Sequence, residues 1–206
     1  MATRGRGLPV TLTRGAPTPP PAAFHLWYAP AIGHRSRNAA HRIAVEGDTA
    51  EGLQTGVYIP RRHSSSLLAR LVGGRVFPGT HAAASVDFRS TADDLEVRVE
   101  ADDLRVRVAA RRGPGTPFRS TLFETLEQSS TFFRKDAVGW SPTRSGALEG
   151  LRLDTDAWKV EPIDVTALSS TFFDALPDGA AQFDHALLMH DVPTRWSSVS
   201  TPATIS

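Results

Sequence analysis

The 206-residue chain contains no cysteine. That excludes a disulfide framework, a thiolate zinc site, an iron–sulfur cluster and cysteine nucleophile chemistry together. Lysine is nearly missing too: Lys135 and Lys159 are the only two among 23 basic groups, and the rest are arginine. Against 22 acidic groups these leave a net charge of +1, so the chain as a whole offers no field for nucleic acid or an anionic membrane. No apolar run approaches the roughly 20 residues of a membrane span. Nucleotide signatures are absent as well. There is no G-x-x-x-x-G-K-[ST] and no G-x-G-x-x-G behind a strand, and Gly139-Trp140-Ser141-Pro142-Thr143 lacks the second glycine of a nucleophile elbow. What is present, 40% hydrophobic and 22% charged residues, is ordinary globular composition in a length that suits one domain. A cytoplasmic location is expected.

The charge is unevenly spread. Residues 1–45 hold six arginines (Arg4, Arg6, Arg14, Arg35, Arg37, Arg42) and no acid. Pro17-Thr18-Pro19-Pro20-Pro21 favours extended chain. An arginine-rich, acid-free start can serve as a transit peptide, but no amphipathic helix passes through these prolines. Residues 1–22 therefore read as a flexible Arg/Pro-rich tail, 23–196 as a single domain, and 197–206 as a C-terminal tail.

The middle reads as antiparallel sheet. Leu95–Glu100 and Leu104–Ala109 alternate apolar and charged residues around the turn-prone Ala101-Asp102-Asp103, which predicts a hairpin with one wet face. Glu96, Arg98 and Glu100 then lie opposite Arg105 and Arg107 as cross-strand ion pairs. Further strands are expected at Arg42–Val45, Thr55–Ile59, Ala83–Phe88, Trp158–Val160 and Ala186–Met189. Three short helices are expected. One is Leu67–Val72, between Ser64-Ser65-Ser66 and Gly73-Gly74. The second runs from a capping box at Thr121 and Glu124 to about Ser129, and the third covers about Val165–Ala175 ahead of Pro177 and Gly179. The pentad Ser129–Phe133 recurs as Ser169–Phe173, with paired phenylalanines read as core anchors. Strands in succession with few helices argue for an α+β protein built on a curved antiparallel sheet or barrel.

Chemistry concentrates in a few polar groups. Tyr58-Ile59-Pro60-Arg61-Arg62 runs a strand into a cationic pair, and Gly73–Gly79 carries Arg75 in a glycine-rich turn able to cradle an anion. Guanidinium forks match carboxylates, so Arg61, Arg62 and Arg75, with Tyr58 beside them, are candidate ligand-binding residues. The competing reading pairs these arginines with Asp87, Glu124 or Glu127. His81 and Glu127 are the candidate acid and base. His185 and His190 are five apart and fall on opposite faces of a strand, so no metal site is read there, and no cofactor is expected.

Gly56–Arg62, Gly73–Gly79, Ser129–Phe133, Gly139-Trp140-Ser141 and Phe183–Met189 resemble, in order, segments of the acetoacetate decarboxylase-like superfamily, in its uncharacterised bacterial branch. Arg42–Glu46 and Trp158–Pro162 fit the same branch. The resemblance covers about 40–196 and implies a curved antiparallel sheet closing into a cone-like barrel around a small-molecule cavity. The decarboxylase that names the superfamily works through a lysine Schiff base. The matching turn here, Gly139–Thr143, has no lysine, and Arg134-Lys135-Asp136 reads as a solvated turn. The expectation is a barrel that binds, and in one version transforms, a small carboxylate or keto acid without an imine. The alternatives are a non-catalytic binding module or a scaffold with a filled barrel. The expected partner is a small carboxylate, with self-association left open and neither nucleic acid nor membrane.

Overall fold

The structure, a computed structural model, describes residues 3–13, 22–31, 34–49, 52–66, 79–135, 138–143, 146–199 and 204–205. In chain order the elements are β1 (Thr3–Thr13), β2 (Ala22–Ala31), β3 (His34–Thr49), β4 (Gly52–Tyr58), β5 (Arg62–Ser64), β6 (His81–Ala83), β7 (Ser85–Ser90), β8 (Asp94–Glu100) and β9 (Arg105–Arg111). Then follow α1 (Leu126–Lys135), β10 (Val138–Pro142), β11 (Leu148–Asp154), β12 (Glu161–Ser170), α2 (Thr171–Asp174), β13 (Gln182–Val199) and β14 (Thr204–Ile205). The main hydrogen-bonded path is β1-β2-β3-β4-β10-β11-β13-β12-β9-β8-β7, and β1 also pairs with β13. Neighbours are antiparallel except β4 with β10 and β5 with β6. No helix of the described residues is long and apolar enough to cross a membrane.

The hairpin forms as its alternation requires. Leu95, Val97 and Val99 of β8 and Val106, Val108 and Ala110 of β9 point into one core with Ile163, Ala186 and Leu188. On the wet face the register sets Glu100 against Arg105 but Arg98 against Arg107. Glu96 resolves that like-charge pair by accepting hydrogen bonds from both guanidiniums. The paired phenylalanines are anchors as read: Phe133 is buried, and Phe172 and Phe173 pack on the main core.

Other expectations are corrected. Residues 3–13, placed by composition in a tail, are β1, paired with both β2 and β13. Leu8, Val10 and Leu12 carry the period-2 pattern, which the surrounding arginines and prolines mask in any compositional count. At the other end, β13 runs on to Val199, and β14 pairs with β3, so part of 197–206 is sheet. Trp158–Val160 is not a strand. Its indole N–H donates to Ser130 Oγ at 3.0 Å, which ties the segment to α1 instead. The expected third helix is mostly β12, because Val165–Ser170 finds partners on β9; only the four residues of α2 are helical. The second helix starts later than Thr121. Thr121 gives its N–H and hydroxyl to Asp184, while Thr125 Oγ1 accepts from the Gln128 N–H and caps α1. The helix expected at Leu67–Val72 lies outside the described residues.

Candidate functional site

Cross-strand partners share a face of a sheet, so register sorts the candidate residues. On β3, Ala40 lies opposite Arg62 of β5, and Arg62 lies beside His81 of β6. Arg42, two residues from Ala40, stands on that same face, as do Asn38 and its partner Ser64. Tyr58 of β4 is opposite Ile43, which puts it on the other face.

The strand β10 explains why the Gly139-Trp140-Ser141 triplet has its composition. Trp140 turns to the Tyr58 face, fully buried, and fits between Gly56 and Gly150. A Cβ on Gly56 would come within 2.7 Å of the indole, and one on Gly150 within 2.9 Å. Gly139 and Ser141 turn the opposite way, Gly139 against Ile59 and Ser141 toward Arg62. The Arg62 Nη2 donates to Ser141 Oγ at 3.1 Å. Gly79 completes this wall. Its φ of +89° needs glycine, and a Cβ there would collide with Ser141 at 2.7 Å.

The result is a cationic interior face. Arg62 is 4% exposed, and burial pulls its guanidinium down to about 10. Burial first, and then the field of Arg62, pull Arg42 down to about 9. Arg62 is buried and Arg42 half-buried, and the second feels the charge of the first, so this face carries a positive field.

The reverse face of β3 and β5 is different. His41 stacks on Phe172 with ring centroids 4.1 Å apart, and desolvation lowers it to about 3, helped by His63 and opposed by Asp103. His63 bonds Asp103 at 3.0 Å, and Arg61 pairs with the same carboxylate. Burial alone would raise Asp103, but the hydrogen bonds from His63 and Arg61 outweigh it and hold the group below the usual range.

The structure thus brings Arg62 and His81 together and adds Arg42, which the sequence reading had placed only in a strand. It separates the other candidates. Arg61 is half-exposed on Asp103, Tyr58 faces away from Arg62, and Glu127 is exposed in the first turn of α1. Arg75 lies outside the described residues. Among the described residues no cluster of three metal-ligating side chains occurs.

A second polar group was also missed. Ser129 of α1 lies 2.7 Å from His185 Nε2, and His185 Nδ1 lies 2.6 Å from Asp184 Oδ2. Burial lowers His185 despite the adjacent carboxylate, so the neutral ring donates from Nδ1 and accepts the Ser129 hydroxyl at Nε2. This is the hydrogen-bond order of a nucleophilic triad. Yet Ser129 has no accessible surface, and the adjoining cavity of about 440 Å³ reaches His185 and Asp184 but not the serine. The chain of bonds pins α1 and the connection through Ser120 and Thr121 onto β13.

Comparison with solved structures finds the same overall fold. One acetoacetate decarboxylase structure superposes with a TM-score of 0.57 at 11% identity, covering 98% of this chain and 91% of that one. The acetoacetate decarboxylase of Legionella pneumophila superposes at 0.53 and 11% identity, covering 96% and 87%. The fold is acetoacetate decarboxylase-like. No family model matches the sequence, and no curated protein matches it in sequence. Strands predominate in this fold, with few short helices.

Proposed function

We propose that this protein binds a small carboxylate or keto acid on the cationic face of β3, β5 and β10, with Arg62 and Arg42 as the anion receptor and His81 beside them as the acid–base group. The observation that carries the reading is the pair of guanidiniums on one face, Arg62 buried and Arg42 half-buried, each weakened by desolvation and Arg42 also by Arg62. A monoanion between them relieves that repulsion, and a guanidinium fork offers carboxylate oxygens two parallel donors. The pairings from β1 through β4, β10 and β11 to β13 return to β1, which supports a sheet closing as a cone-like barrel around this face. Binding proceeds without a lysine imine in this reading, because Lys135 and Lys159 are both exposed and neither lies on β10. The protein works in the cytoplasm, where such metabolites are abundant.

The test is a thermal-shift panel of keto acids and hydroxy acids on the wild type, Arg62→Met, Arg42→Met and Arg61→Ala. A ligand at 100 times its dissociation constant adds about 2.7 kcal/mol, which raises the midpoint of a domain this size by roughly 5–10 °C. The shift should vanish in Arg62→Met and Arg42→Met and survive in Arg61→Ala, whose partner is Asp103. No shift with any acid, or a shift unchanged in both methionine variants, overturns the reading. Covalent trapping of a lysine by borohydride in the presence of a keto acid would overturn its imine-free part.

A further inference from the structure

A cavity of about 420 Å³ opens between the start of β4, the end of α1, and β10 and β11, away from the Arg62 face. Its lining carries three cations, Arg134, Lys135 and Arg152, against one carboxylate, Asp154, which already accepts from Ser197 Oγ at 2.9 Å. None of the three cations forms an ion pair among the described residues. Arg134 and Lys135 occupy the last turn of α1, where cations complement the helix end. That end is worth only about half a charge, so the cavity keeps a positive excess.

Two further observations point to an occupant. Leu53, at 65% the most exposed of the large hydrophobic residues described, lines this cavity together with the Trp158 indole, whose N–H is held by Ser130. An exposed leucine beside a fixed aromatic ring is an apolar wall without a covering. Gln54 lines it too, and its Oε1 is enclosed with no hydrogen-bond partner among the described residues. Buried amide groups are nearly always satisfied, and rotation of this one presents an N–H₂ donor to an anion.

We infer that this cavity is a second ligand site, for a small organic phosphate monoester. Its phosphate, with a charge between −1.5 and −2 at neutral pH, would lie among Arg134, Lys135 and Arg152. Its apolar or aromatic part would lie on Leu53 and Trp158. The double charge matches the cationic excess better than a monocarboxylate does, and the apolar wall selects an ester over the free ion.

The experiment is calorimetric titration of the full chain with phenyl phosphate, inorganic phosphate and benzoate, repeated on Arg152→Ala, Arg134→Ser and Arg62→Met. Arg152 and Arg134 are exposed and form no ion pair among the described residues, so both variants should fold. Phenyl phosphate should bind at least tenfold tighter than either other ligand. It should lose at least tenfold in Arg152→Ala and in Arg134→Ser and bind unchanged to Arg62→Met. Equal affinity for phenyl phosphate and inorganic phosphate, or no loss in the first two variants, overturns the site. Loss only in Arg62→Met would assign the binding to the β3–β5 face instead.

Discussion

His41 should make the protein acid-labile. Unfolded, its imidazole takes a proton near the ordinary value of 6.5; folded, it resists down to about 3. The lowering comes first from burial against Phe172 and Phe173, then from His63, with Asp103 pulling weakly the other way. A depressed histidine means the unfolded chain binds more protons through this range, so stability falls as pH falls from about 6.5 toward 3. Each unit is worth about 1.4 kcal/mol, and going from pH 7 to pH 4 should cost about 3 kcal/mol. That is a large share of the 5–15 kcal/mol typical of a domain. The assay is urea unfolding at half-unit pH steps, with His41→Gln beside the wild type. The glutamine keeps an N–H for Ser170, whose Oγ lies 3.3 Å from His41 Nε2. The readout is the slope of stability against pH, so the absolute cost of losing the ring stack cancels. The wild type should show close to one more proton of slope than the variant between pH 5.5 and 4. Equal slopes would refute the reasoning, and so would an NMR titration placing the His41 ring near 6.5.

Two further outcomes follow from packing and from the pinned connection. Gly150→Ala puts a Cβ 2.5 Å from Val199 Cγ2 and 2.9 Å from the buried Trp140 ring, and overpacking of this kind costs about 1–3 kcal/mol in urea unfolding. Gly113→Ala, with nothing near its Cβ, is the control and should stay within about 0.5 kcal/mol. Asp184→Asn leaves one acceptor oxygen for donors that now number four: Ser120 Oγ, the Thr121 N–H, Thr121 Oγ1 and His185 Nδ1. With bonds to a charged group worth about 1.5–3 kcal/mol each, the loss should be roughly 2–4 kcal/mol, and limited proteolysis should cut first between β9 and α1. Burial would raise Asp184, but these donors outweigh it and hold it low. Its stabilising part is therefore full above about pH 4, lost on acidification below that, and absent in the variant.

How far the sequence reached depends on the range of the interaction. The β8–β9 hairpin was legible because both its pattern and its turn lie within one short stretch. Val165–Ser170 was not, because its backbone bonds go to β9, more than fifty residues away, and its own apolar spacing fits either period. Residues 3–13 failed in part for the same reason, since one partner, β13, is at the far end of the chain, while the stretch before the nearer partner, β2, holds the proline run that reads as tail. At the site, Arg62 was legible as a cation at a strand end and His81 as an acid–base candidate, but that they meet is a fact of register. Arg61 looked equal to Arg62 in sequence, and one residue of strand period sends it to Asp103 instead. Arg42 had a signal that went unused: it sits in Asn38-Ala39-Ala40-His41-Arg42-Ile43-Ala44, where small apolar neighbours cannot shield a cation from the core.

The shortage of lysine then acquires a physical meaning. A lysine that must form an imine has to lose its proton at neutral pH, and burial beside another cation is what makes it do so. The same burial and the same cationic neighbour act here on Arg42, which falls only to about 9, and burial takes Arg62 only to about 10. A guanidinium starts so high that this environment leaves it charged at pH 7. An interior face that would activate a lysine therefore holds a fixed positive field when it is built from arginine.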